Sequence, residues 1–529
     1  MDIEIKRETK YSFSIQELLY YAFLVCTMGA KALGMTEGQR IFSALIAVGA
    51  LCVIVKILMT QYTFIEWGIN ILLLILGVVI YLNTHHLEAL FAILMVLGMK
   101  NVSIHRACKT ALIIWIPCFV LTTGLALLGV RQGFVGVQQK LGMDSAIIRY
   151  SLGYTHPNVL HMTFLMIVML LMYTIRPKGK KLIWTSIILM LINIYIFIYS
   201  VSYAGVLSVT FFLGLNIYLS FRKQISKVEK VLLMTFMLGC MLFMITIPFM
   251  ISDSIRDILD RLINYRLIMI NLIFTETKPA LFGHSILIKN IHGTLDCSYA
   301  YMLMYHGLLG TVLFFISMIL VMVEMLNKKE LEGVAALSAL SLSGVIEQYL
   351  ANLSFKNIGY FFIGDFICNV LPNRIFKREL VDKYGFFKVT ATLDISYLMR
   401  KRFDSIIKTW KSVNKHKIFI TALLIAILFL VLSLLYPYEP TGIYLVNKTD
   451  PDIATVDYEY HEANPIFKDS IIIGNAKEGT MLQRIGWADL SYEKYRLRIS
   501  VFIWSFLLTS FLLSLFVLWN KFWRINGNE

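Results

Sequence analysis

The chain has 529 residues, of which 58% are hydrophobic and only 16% charged. Soluble domains carry about 25% charged residues, so this chain lacks the polar surface needed to face water all round, and a soluble protein is excluded. The formal charge of +15 does not point to nucleic acid, because the basic residues sit in short clusters between apolar runs, where cytoplasmic loops carry them.

A membrane-spanning helix needs about 20 mostly apolar residues. The N-terminal MDIEIKRETK is charged, and the first apolar run lacks a small-residue cleavage site, so a retained membrane helix is expected rather than a removable signal. Spans are then expected near 15–33, 41–59, 63–82, 87–99, 109–130, 158–175, 182–200, 203–221, 231–251, 297–325, 334–351 and 358–373. A further pair lies near 418–436 and 499–519, for fourteen in all; the 87–99 run is short enough to be partly re-entrant or interfacial. The fold class is therefore an all-α polytopic membrane protein, about twelve transmembrane helices followed by a two-helix hairpin.

The basic clusters Arg176 to Lys181, Arg222 to Lys230, Lys328-Lys329, Arg374 to Arg378 and the stretch 400–417 all fall on one side of this arrangement. They are cytoplasmic, as are both termini, if the N-terminus is cytoplasmic. Three longer loops then face outward, at about 131–157, 252–296 and 437–498. The last holds ten acidic and seven basic residues, as a translocated segment free of the basic bias should. The polar, basic stretch 376–417 marks the one clear linker, separating a polytopic domain (1–375) from the hairpin (418–529). The seven scattered cysteines give neither a zinc spacing nor a disulfide framework.

Within the first outer loop the chain reads Arg149-Tyr150-Ser151-Leu152-Gly153-Tyr154-Thr155-His156-Pro157-Asn158 and passes at once into an apolar run. Pro157 suits a first helical position, which places His156 and Asn158 at the mouth of that helix. The second outer loop holds Arg256, Asp257, Asp260, Arg261 and Arg266. If 253–274 is helical, it is amphipathic enough to lie along the membrane surface, and its arginines either snorkel to lipid phosphates or grip a substrate phosphate. The loop continues through Leu281-Phe282-Gly283-His284 and His292 to Asp296-Cys297-Ser298-Tyr299. One carboxylate and two histidines there are candidate general bases for activating a hydroxyl; such histidines also serve as plain interfacial groups. Glu347 lies in the outer half of an apolar stretch, where an ionisable group is costly and by default functional, with a structural ion pair as the competing role.

Together these motifs resemble the bacterial polysaccharide repeat-unit polymerases (Wzy-type) and their relatives the O-antigen ligases, over residues 1 to about 375. The resemblance rests on Arg149 with Ser-Leu-Gly-Tyr-Thr-His-Pro-Asn (151–158), the Leu-Ile-Asn-Tyr-Arg-Leu run ending at Arg266-Leu267, Leu281-Phe282-Gly283, and Asp296 to Tyr299 followed by Gly307. It implies metal-independent glycosyl transfer, without a cofactor, on the outer face of the bacterial cytoplasmic membrane. The donor would be a glycan on undecaprenyl diphosphate, Arg149, Arg261 and Arg266 would bind the diphosphate, and His156, Asn158 and Tyr299 would contact substrate. The base is open among Asp296, His292 and His284, with Asp296 first because it holds the place of the ligases' histidine, and Glu347 is a further catalytic candidate. Many members have Ser-Arg where this chain has Ser202-Tyr203, so one expected arginine is missing.

The hairpin is similar in layout to the chain-length regulators that partner such polymerases, although their proline-rich stretch is absent; Tyr458, Tyr460, His461 and Trp487 are candidates there for stacking on sugar or for its core. A pathway flippase and a chain-length regulator are the partners implied, with membrane lipid around the chain. A ligase reading shares this chemistry. The rival from another class is a lipid-linked oligosaccharide flippase, which needs charged groups spread along several helices; here the polar clusters gather in two outer loops.

Overall fold

The computed structural model describes residues 12–131, 133–138, 147–263, 266–285, 295–375, 384, 392–394, 414–435, 442–447, 470–473, 483–487 and 490–526. Helices dominate them, since a chain in lipid must satisfy its backbone polar groups within each segment. They run α1 (Ile15–Ala32), α2 (Arg40–Met59), α3 (Phe64–Thr84), α4 (Glu88–Leu97), α5 (Ile104–Leu127), α6 (Pro157–Ile175), α7 (Lys180–Ser200), α8 (Tyr203–Phe221), α9 (Lys227–Met250), α10 (Asp253–Ile263) and α11 (Arg266–Glu276). Then come α12 (Ser298–Lys328), α13 (Leu331–Ile346), α14 (Gly359–Val370), α15 (Lys415–Leu435) and α16 (Leu490–Asn526).

Every one of the fourteen expected runs contains a helix. Among the described residues ten helices are long and apolar enough to cross a membrane, α4, α13 and α14 are shorter apolar helices, and α1 carries Glu17 and Lys31 near its ends. The chain is a multi-pass helical membrane protein. Local chemistry sets several boundaries. Thr63 with Glu66 and Ser226 with Glu229 form capping boxes that start α3 and α9, and Pro157 opens α6 with His156 as its cap.

The second loop differs from a single surface helix. Its backbone forms two helices, α10 and α11, so Arg261 and Arg266 stand on different elements. Asp260 explains why α11 starts where it does. Its buried carboxylate accepts from the backbone N–H groups of Leu267 (2.6 Å) and Ile268 (2.8 Å), meeting donors that a helix start leaves unpaired.

Another local device joins this loop to α12, which is wound as a π turn over Met302–His306. The N–H groups of Leu308 and Leu309 donate to the carbonyls of Ala280 and Leu281, and the N–H of His284 donates to Met304 O, at 2.9, 3.1 and 3.0 Å. The loop thus supplies bonds the widened turn gives up. Gly283 and Gly307 both have φ of +73°, and a side-chain carbon at Gly307 would collide with the backbone N of Gly283. The two motif glycines meet because only hydrogen fits between them.

By contact the chain divides into two units, Gln16–Val135 with Arg149–Val389, and Met1–Ile15 with Gly136–Ile148 and Thr390–Glu529. In the second unit α15 packs on α16, with Phe419 edge-on to Phe506 at 5.5 Å. Strand Gly442–Asn447 is central in a three-stranded antiparallel sheet with Ser470–Ile473 and Gln483–Trp487, which puts Trp487 on a strand. Tyr458, Tyr460 and His461 lie outside the described residues.

Candidate functional site

Five helix ends of the larger unit converge on one polar chain. Arg149 is the third residue of the strand Ile147–Tyr150, beside which Ser151 donates from its N–H to Phe134 O. The Arg149 side chain is only 5% exposed, its Nε donating to the carbonyl of Ser200, the last residue of α7, at 2.8 Å. One of its terminal nitrogens donates to Asn158 Oδ1 at 2.8 Å, and Asn158 Nδ2 donates in turn to Glu347 Oε1 at 2.6 Å. Arg266, also 5% exposed, repeats the pattern. Its Nε donates to the carbonyl of Ile346, the last residue of α13, at 2.9 Å, and its Nη2 lies 3.3 Å from Asp296 and 3.8 Å from Glu347. The result is a continuous line, Arg149–Asn158–Glu347–Arg266–Asp296, drawn from four separate stretches of sequence.

The members differ in exposure. Glu347 is buried while the Asp296 side chain remains 35% exposed, so Asp296 is the carboxylate an incoming molecule can reach. α13 stops at Ile346, which places Glu347 beyond the span, in the turn at 347–358. Burial raises its carboxyl to about 7 against the opposing pull of Arg266. Burial likewise lowers Arg149 to about 10, which leaves the guanidinium charged at neutral pH.

Residue types alone did not reveal what holds this line in place. The Ser298 hydroxyl donates to the carbonyl of Glu347 and accepts from the N–H of Leu350, clamping the 347–358 turn onto the start of α12. His161, fully buried on α6, joins Ser200 Oγ (2.9 Å) and Asn193 Oδ1 (2.7 Å), fixing the helix end that Arg149 grips. Lys356 packs over Tyr349 at 4.4 Å and donates to Val159 O at 3.4 Å; burial lowers its ammonium to about 7. Its charge in the short gap between the expected spans 334–351 and 358–373 was the one available signal for it.

Of the residues expected to act, Arg149, Asn158, Arg266, Asp296 and Glu347 come together. His156 sits beside them as the cap of α6, its Nδ1 accepting from the N–H of Asn158 at 3.2 Å, with its ring 5.7 Å from that of Phe134. Two depart from expectation. Tyr299 is fully buried and donates its hydroxyl to Ser341 O, because successive helix residues point about 100° apart and Ser298 takes the site-facing position. His284 is bound to the carbonyls of Ser285 and Lys278, both at 3.2 Å, and its backbone is tied to α12 rather than to the arginines. His292 and the Arg261 side chain lie outside the described residues.

The arrangement presents two oriented cations with a reachable carboxylate beside one of them. The chain matches no protein-family model, no curated protein and no solved structure. What it can do is therefore argued from this geometry and its chemistry.

Proposed function

We propose that this chain polymerises undecaprenyl-diphosphate-linked oligosaccharide repeat units into capsular, exo- or O-antigen polysaccharide on the outer face of the bacterial cytoplasmic membrane. The observation that carries the reading is the pair of buried arginines, Arg149 and Arg266, linked through Asn158 and Glu347, with Asp296 on the same guanidinium as Glu347. In this reading twelve spans form the polymerising domain and α15 and α16 a two-span hairpin, with both termini cytoplasmic and the flippase and chain-length regulator of the pathway as partners.

The chemistry follows from charge. Breaking the bond between the donor's anomeric carbon and the diphosphate oxygen pushes negative charge onto the leaving diphosphate. Guanidinium groups fixed beforehand stabilise that charge where it develops, with no metal required. An acceptor hydroxyl forms the new bond to the anomeric carbon and passes its proton to Asp296, the accessible carboxylate. Asn158 and Glu347 keep the two cations at a set separation, and His156 completes the mouth of α6.

The test uses purified full-length protein in proteoliposomes with its lipid-linked repeat unit and a chelator. Products resolved by size should form a ladder; a single addition to a non-glycan acceptor would indicate a ligase, and untouched substrate would overturn the reading.

A further inference from the structure

The first two turns of α12, which begin beside the arginine line, also carry a second polar cluster. Glu88, at the start of α4, accepts from the Tyr301 hydroxyl at 3.0 Å and pairs with His86 Nδ1 at 3.3 Å, both through Oε1. The Tyr301 and Tyr305 rings lie 4.5 Å apart, and the Tyr305 ring is 4.5 Å from the His86 imidazole. Glu88 Oε2 and His306 Nε2 are buried and, among the described residues, have no hydrogen-bond partner. Buried polar atoms are nearly always paired, so two such orphans in one cluster call for a filler. The His86 side chain is 39% exposed, which leaves the cluster a way in.

The filler's chemistry is constrained. An ionised carboxylate only accepts hydrogen bonds, so whatever meets Glu88 must donate. The imidazole of His306 takes either role, and the His86 and Tyr305 rings offer a flat apolar surface beside these polar atoms. A hydrocarbon chain leaves both orphans unmet, and an anion is repelled by Glu88. A polyhydroxylated ring with an apolar face meets all three demands.

We infer that His86, Glu88, Tyr301, Tyr305 and His306 form a saccharide subsite that receives the acceptor glycan. This rests on the polymerase reading, and the position suits it. At a rise of about 1.5 Å per residue, Tyr305 lies roughly 10 Å along α12 from Ser298, within the span of a short oligosaccharide.

The test separates sugar from carrier, using full-length protein in nanodiscs. One probe is the oligosaccharide freed by mild acid from the lipid-linked unit that accumulates in cells lacking this chain, followed by saturation-transfer NMR. The other is carbohydrate-free undecaprenyl diphosphate, followed by retention of radiolabel. Replacing His86→Ala or Glu88→Gln should weaken the glycan about tenfold or more and leave the carrier's binding unchanged, whereas Arg149→Lys should do the reverse. Should Glu88→Gln fail to fold, His86→Ala and Tyr305→Leu decide the matter. Glycan binding unchanged in these variants, with carrier binding still dependent on Arg149, would overturn the subsite alone and leave water as the filler. A wild-type protein that binds no carrier would overturn the polymerase reading itself.

Discussion

Replacing Arg266 by lysine preserves the charge and removes the fork, which makes it a sharp probe of the site. The guanidinium makes three contacts at once: Ile346 O at 2.9 Å, Asp296 at 3.3 Å and Glu347 at 3.8 Å. A lysine ammonium on a flexible stem cannot serve a helix-end carbonyl and two carboxylates from one point. At least one charged hydrogen bond is lost, about 1.5–3 kcal/mol, and the Ile346 carbonyl is left short of a donor. A loss of about 2–3 kcal/mol corresponds to roughly 30- to 150-fold in kcat/KM. Because the diphosphate's charge grows towards the transition state, most of the fall should appear in kcat rather than KM. The assay is the initial rate of ladder formation in proteoliposomes, with Arg222→Lys on the exposed Glu229 pair as a control. If Arg266→Lys stays within about threefold of wild type, the arginine's geometry does not matter and the proposed clamp is wrong. If it lowers thermal stability but leaves kcat intact, its role is structural.

Three further outcomes follow from the same contacts. Because the folded-state pKa of Glu347 is raised from its ordinary 4.5 to about 7, the protonated form favours folding; wild type should lose about 3 kcal/mol relative to Glu347→Gln as pH climbs from about 4.5 to above 7, read from thermal melts of both proteins across that window. A gap between them that does not change with pH would refute the burial argument. Gly307→Ala forces a side-chain carbon into the Gly283 backbone at φ +73° and should cost about 2–4 kcal/mol, seen as reduced folded yield in detergent, while Gly124→Ala, with open space around it, should not. In intact cells an impermeant thiol reagent should label Lys278→Cys and spare Lys223→Cys, both exposed positions; the opposite pattern would invert the assumed topology.

The spans were legible because an apolar run of about 20 residues has few alternatives in lipid, and Thr63, Pro157 and Ser226 announce their helices by residue type. Glu347 stood out because a carboxylate among Leu340 to Leu350 must have a use. The pairings were not legible. Asn158 reaches Glu347 across 189 positions and Arg266 reaches Asp296 across 30, and no local pattern encodes either. Leu281-Phe282-Gly283 and Gly307 were each noticed as motifs, but their contact arises only once the loop bonds to the π turn of α12. Tyr299 misled because side-chain chemistry says nothing about which face of a helix it occupies; its neighbour Ser298 has the site-facing place. Glu88 and His86 went unread because a lone Glu at a helix start looks like an ordinary favourable first-turn charge.

The two arginines share one design, and it explains how the site can be both buried and cationic. Each sends its Nε to the terminal carbonyl of a helix, Ser200 on α7 and Ile346 on α13. Helix C-termini carry unpaired carbonyls and the negative end of the macrodipole, so they stabilise a guanidinium by partial charge. Here Glu347 contacts Arg266 directly and reaches Arg149 only through Asn158. Arg149 is oriented in part by two neutral groups, the Ser200 carbonyl and the Asn158 amide oxygen. Such a cation, desolvated before any ligand arrives, attracts a diphosphate more strongly than one hydrated in open water. Under the proposed reading, with helix ends orienting both arginines, Asp296, the more exposed carboxylate of the line, is left for the proton.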